Sequence, residues 1–157
     1  MTSEYIRKYY TNNQDVLYQE YYELNGQKEG PYKSYYENGN LQLLCNYING
    51  VVNGEVSIYY NDGNIMMISV YSNELSNGYH MKFYKTGELE EKSYSINDLN
   101  QGEHIQYYKN GHIKCIRNYV DNILEGEMKE YSENGDIASI KYYKNGEIID
   151  NENNSYH

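Results

Sequence analysis

Gly54-Glu55-Val56-Ser57-Ile58-Tyr59-Tyr60-Asn61-Asp62-Gly63-Asn64-Ile65 is the stretch on which the fold turns, because its pattern returns every 24 residues. Gly54 belongs to a comb made of Gly30, Gly54, Gly78, Gly102 and Gly126, and Gly63 to a second one, Gly39, Gly63, Gly87, Gly111 and Gly135. Between the combs stand Tyr35, Tyr59, Phe83, Tyr107 and Tyr131, each followed by a further tyrosine, Tyr36, Tyr60, Tyr84 and Tyr108, until Ser132 ends that series. Two residues past each second-comb glycine comes a branched aliphatic: Leu41, Ile65, Leu89, Ile113 and Ile137. Self-similarity at a fixed period of this length marks a repeat array.

Each unit reads as a strand of about six residues, a turn, a strand of about eight and a second turn. Asn38-Gly39, Asp62-Gly63, Asn110-Gly111 and Asn134-Gly135 predict two-residue hairpin turns with positive φ, and stretches such as Asn49-Gly50 and Asn145-Gly146 predict slightly longer ones. No segment keeps apolar residues at helical spacing. The expected fold is all-β, an elongated, twisted, single-layer antiparallel β-meander of tandem 24-residue hairpin repeats. Strands about 4.8 Å apart place equivalent residues of adjacent units about 9.6 Å apart.

Residues 1–8 read as a leader, residues 9–149 as the array, and residues 150–157 as a disordered polar tail. Within the array an irregular first unit precedes five units that start near residues 30, 54, 78, 102 and 126. The first unit slips by two residues, and Asn13 takes the glycine position as a residue that tolerates a left-handed backbone. One conflict remains in the second strand, where Leu44, Ile68, Ile116 and Ile140 have the opposite parity to Leu41, Ile65, Ile113 and Ile137.

Tyr occurs 23 times and Phe once, so the apolar material is amphipathic and suits a thin sheet. The net charge of −10 disfavours nucleic acid and anionic membrane lipid as partners. No apolar run follows the charges of the first ten residues, which points to a cytoplasmic protein. Alternation sends the two aromatic series to opposite faces, and the Tyr36, Tyr60, Tyr84, Tyr108 series is the expected accessible one and the candidate interaction face. Gly39, Gly63, Gly87, Gly111 and Gly135 are structural turn residues.

Catalysis, cofactors and metals find no support in these residues. His80 and His104 share a repeat position but sit too far apart to share a zinc ion. Cys45 and Cys115 read as reduced, semi-buried thiols. Cys115 should share a face with Ile113 while the neighbouring His112 faces away, against a Cys-His pair. The third unit departs from the pattern through Glu88, Glu90, Glu91, Lys92 and Ser95, either as a degenerate repeat or as a break that marks a partner footprint or a bend.

The run from Gly54 to Ile65, and Gly102-Glu103 through Tyr107-Tyr108-Lys109-Asn110-Gly111, resembles the MORN repeats, in particular the antitoxin-like variant of bacteria that also occurs in large DNA viruses. That resemblance implies elongated hairpin arrays used in protein association and scaffolding. The expected function is a non-enzymatic scaffold for protein–protein interaction, with another protein or with itself as a homodimer. The alternative it implies is an antitoxin or immunity protein that neutralises a partner toxin; a carbohydrate- or phospholipid-binding module is weaker.

Overall fold

The computed structural model describes residues 2–149. The period folds as one open antiparallel sheet whose strands follow chain order from Glu4–Tyr9 at one edge to Glu147–Ile148 at the other, with no helix among the described residues. The six- and eight-residue strands are seen directly, as Gly54–Tyr59 and Ile65–Ser72 in the second regular unit. Glu4–Tyr9, read from the sequence mostly as leader, is itself a strand and pairs with Leu17–Leu24. The tail expected at residues 150–157 lies outside the described residues.

The two turn types are exchanged relative to expectation. In the first turn Gly39 N–H donates to the Tyr36 carbonyl at 2.9 Å and Tyr36 N–H to the Asn40 carbonyl at 2.8 Å. Only the glycine is left-handed there (φ 84°), so the loop is a three-residue type I turn closed by a glycine bulge. The preceding Asn or Asp has a different task, accepting the backbone N–H two residues on: Asn38 from Asn40 at 3.0 Å, Asp62 from Asn64 at 3.2 Å and Asn110 from His112 at 3.0 Å. The second turn is the two-residue one, with both residues left-handed, as at Asn49 (φ 52°) and Gly50 (φ 80°). Asn13 is not among the left-handed residues. The first unit instead lengthens its loop, with Tyr10 N–H reaching the Val16 carbonyl at 3.0 Å, and this insertion accounts for the two-residue slip.

A bulge in every hairpin resolves the parity conflict. The register shifts between Ser34 and Tyr35, and at the equivalent step of each later unit, so that Tyr35 pairs with Leu41 while Lys33 pairs with Leu44. Leu41 and Leu44 therefore share a face. On that aliphatic face a continuous cross-strand row runs through Leu44, Ser57, Ile68, Met81, Lys92, Ile105, Ile116, Lys129 and Ile140. The other face carries Cys45, Ser69 and Ser93, and almost all of the deeply buried side chains, including Tyr21, Cys115 and Met128, lie there. Small residues suit it, since a single twisted layer has little depth for bulky chains on the side it packs.

Candidate interaction surfaces

The tyrosine series that follows the aromatic comb lies along the first-turn edge, half-buried. Each phenol donates to a main-chain carbonyl of the following unit: Tyr36 to Tyr59 at 2.7 Å, Tyr60 to Phe83 at 2.8 Å, Tyr84 to Tyr107 at 2.7 Å and Tyr108 to Tyr131 at 2.8 Å. Tyr10 does the same to Tyr35 at 2.7 Å. Ser132 has no ring to extend the ladder. At the opposite edge the second residue of each two-residue turn donates backward, from Gly50 to the Lys28 carbonyl at 2.9 Å through Gly146 to Leu124 at 2.9 Å. The units are thus laced at both edges, and the tyrosine hydroxyls are spent on that lacing.

The third unit keeps these rungs and changes both faces. On the serine face His80 stands between Ser69 and Ser93 in register; its Nδ1 is 2.8 Å from Ser69 Oγ and its Nε2 contacts Ser76 Oγ. Burial pushes this imidazole below its ordinary value. One unit on, His104 Nε2 lies 3.1 Å from Glu91 Oε1, and the Gln106 side chain bridges two partners, its Nε2 donating to Glu91 Oε2 at 3.1 Å and its Oε1 accepting from Arg117 at 3.1 Å. The His104 imidazole and then the Gln106 amide outweigh burial and hold the Glu91 carboxyl down at about 2. His80 and His104 thus have different partners, and no group of three or more potential metal ligands gathers among the described residues.

On the aliphatic face Tyr79 and Tyr94 are register partners with rings 4.9 Å apart, edge to face. They are 52% and 36% exposed. Lys92 interrupts the aliphatic row between Met81 and Ile105 and lays its Nζ over the Tyr79 ring at 4.9 Å. Tyr79, Lys92, Tyr94, Glu103 and Ile105 border a shallow cleft of about 360 Å³.

The model for the MORN repeat variant matches residues 28–49, 52–73, 100–121 and 124–145, more than half of the chain. This chain belongs to the MORN repeat variant family. MORN repeats serve in general as interaction modules and form a non-catalytic repeat. The four matched MORN segments leave a gap between residues 73 and 100, and the aberrant third unit falls within it. No curated protein matches the chain significantly.

Two pieces of the MORN array were not singled out by sequence reasoning, Tyr79 and Tyr94. The signal was there: the Tyr79 position reads Pro31, Glu55, Glu103 and Glu127 in the other units, so a ring is out of place. The cysteines are free and buried, with thiols raised by burial, hence poor nucleophiles. The bulge also corrects one detail: Cys115 pairs with Gln106 on the serine face, whereas Ile113 pairs with Tyr107 on the aliphatic face. His112 is engaged elsewhere, its Nδ1 lying 2.8 Å from the Glu133 carbonyl of the next turn.

Proposed function

We propose that the chain is a protein-binding scaffold whose contact surface is the aliphatic face centred on the third unit. The observation that carries this reading is where exposed apolar side chains lie. Tyr79, Tyr94, Ile96, Leu99, Val120 and Ile140 are all more than a third exposed, and their register puts them on one face of a single-layer sheet. Rigid tyrosines beside aliphatics supply contact area at small entropic cost. The tyrosine ladder supports the same reading from the other side: its hydroxyls hold the array rigid so that a face can be presented.

The net charge of −10 favours a basic partner, and neutralisation of a basic toxin is one form that such binding takes. Partners enriched by the wild type from the native host should be lost by Tyr79→Ala/Tyr94→Ala with unchanged circular dichroism. Retention of every partner by that folded variant rejects the surface. Sedimentation of the wild type across concentration tests whether one of those partners is a second copy.

A further inference from the structure

At the junction of the irregular first unit and the first regular one, Tyr21, Tyr32 and Tyr47 close around the ammonium group of Lys28, with Lys8 Nζ also over the Tyr21 ring at 5.6 Å. Lys28 Nζ lies 5.3, 4.4 and 4.8 Å from the centroids of the three rings in that order. The rings meet one another as walls: Tyr21 stacks on Tyr32 at 5.9 Å, and Tyr32 meets Tyr47 at 5.7 Å with an interplanar angle of 66°. Among the described residues no carboxylate lies within ion-pair distance of Lys28, so its charge is met by ring faces alone.

The repeat itself argues that this arrangement is not needed for folding. One unit further on the same four positions hold Cys45, Val52, Val56 and Tyr71, and the strands pair in the same way. A lysine at the Lys28 position occurs in no other unit. The rings are also fixed in place. Tyr21 is 6% exposed, and Tyr32 donates its hydroxyl to Gln19 Oε1 at 2.8 Å. Three aromatic faces about a cation are the arrangement that recognises methylated ammonium groups, which give up less hydration than a primary ammonium on entering a cage.

We propose that Tyr21, Tyr32 and Tyr47 form a binding site for a quaternary ammonium group, filled in the free protein by Lys28 as a tethered occupant. The site is separate from the third-unit surface, and either stands if the other falls. Because the tether gives Lys28 an effective concentration of about millimolar, a ligand competes by interacting better with the rings, as a trimethylated cation does.

Titration of the full chain with tetramethylammonium chloride, against sodium chloride at equal ionic strength, tests this through the ring resonances of the three tyrosines. Lys28→Met keeps the aliphatic stem and removes the charge; it should bind saturably and about tenfold more tightly than the wild type. Adding Tyr32→Leu should abolish the response. A folded Lys28→Met chain without saturable binding, or binding that survives Tyr32→Leu, overturns the proposal, as does failure of both Lys28→Met and Lys28→Ala to fold, which would make the lysine a structural plug. A trimethyllysine peptide and free choline form separate arms. Binding of the peptide alone assigns the group to a partner protein, binding of both defines a general quaternary-ammonium site, and binding of neither overturns the proposal.

Discussion

The second and third regular units have the same hairpin register, the same main-chain hydrogen bonds closing the first turn and the same tyrosine rung, yet differ on both faces. Where one has Val56, Met67, Ile68 and Tyr71, the other has His80, Glu91, Lys92 and Ser95. The comparison separates two kinds of constraint. Main-chain register and turn bonding define a unit; the faces are free to diverge once neighbours hold the unit in place. A repeat that borrows stability from its neighbours can spend its own side chains on something else.

The largest effect should come from glycine. A Cβ at Gly78 would lie 2.8 Å from Val70 Cβ at φ +137°, while at Gly54 (φ +93°) nothing lies within 4 Å. Urea unfolding should show Gly78→Ala losing about 3–4 kcal/mol from clash and strain together, and Gly54→Ala about 1–2 kcal/mol from strain alone. Equal losses would mean that the third unit is not more tightly packed at that junction.

Next comes acid sensitivity. Glu91 has a folded pKa held at about 2, below its unfolded 4.5, so its stabilisation is present above pH 4.5 and is lost as pH falls toward 2. With its side chain 32% exposed, the contribution is discounted to about 1–2 kcal/mol. Glu91→Gln should flatten that part of the stability profile relative to wild type.

The rungs should cost the same in both units. Tyr60→Phe and Tyr84→Phe each remove one phenol-to-carbonyl bond, of 2.8 and 2.7 Å, and each should lose about 1 kcal/mol in chemical denaturation. A marked inequality would break the claim that the edges are shared.

The smallest difference lies in the two-residue turns, where Glu74 (φ 67°) and Asp98 (φ 66°) occupy a position held by Gly26, Gly50 and Gly146 in other turns. Glu74→Gly should raise stability by about 0.5–1 kcal/mol. Asp98→Gly should gain nothing, because the Asp98 carboxylate accepts the Ser76 N–H at 2.7 Å and that bond is lost with it.

Strand positions and period were legible because glycine and aromatic combs in register leave little freedom. Turn type was not. Asn-Gly and Asp-Gly suit either a two-residue turn or a type I turn with a glycine bulge, and only the partner of Gly39 N–H decides between them. Strict alternation also misled at Cys115, since one bulge per hairpin reverses parity midway along the pair. For Tyr36 and its equivalents, sequence gives a ring but not the destination of its hydroxyl, and here that destination belongs to another unit. The third unit announced itself as a break through Glu91, Lys92 and Ser95, yet Tyr79 needed comparison with Glu55 and Glu103 to stand out.

Each phenol rung ends on a peptide carbonyl, an acceptor that every amino acid supplies. Phe83 receives Tyr60 as readily as Tyr59 receives Tyr36. Genetic duplication of one 24-residue segment would therefore add length without requiring any compensating substitution in the segments on either side, and drift in the receiving residue would leave the joint intact. Such an array is free to change its length between lineages, while the one place that forbids extension by the same rung is the serine at position 132.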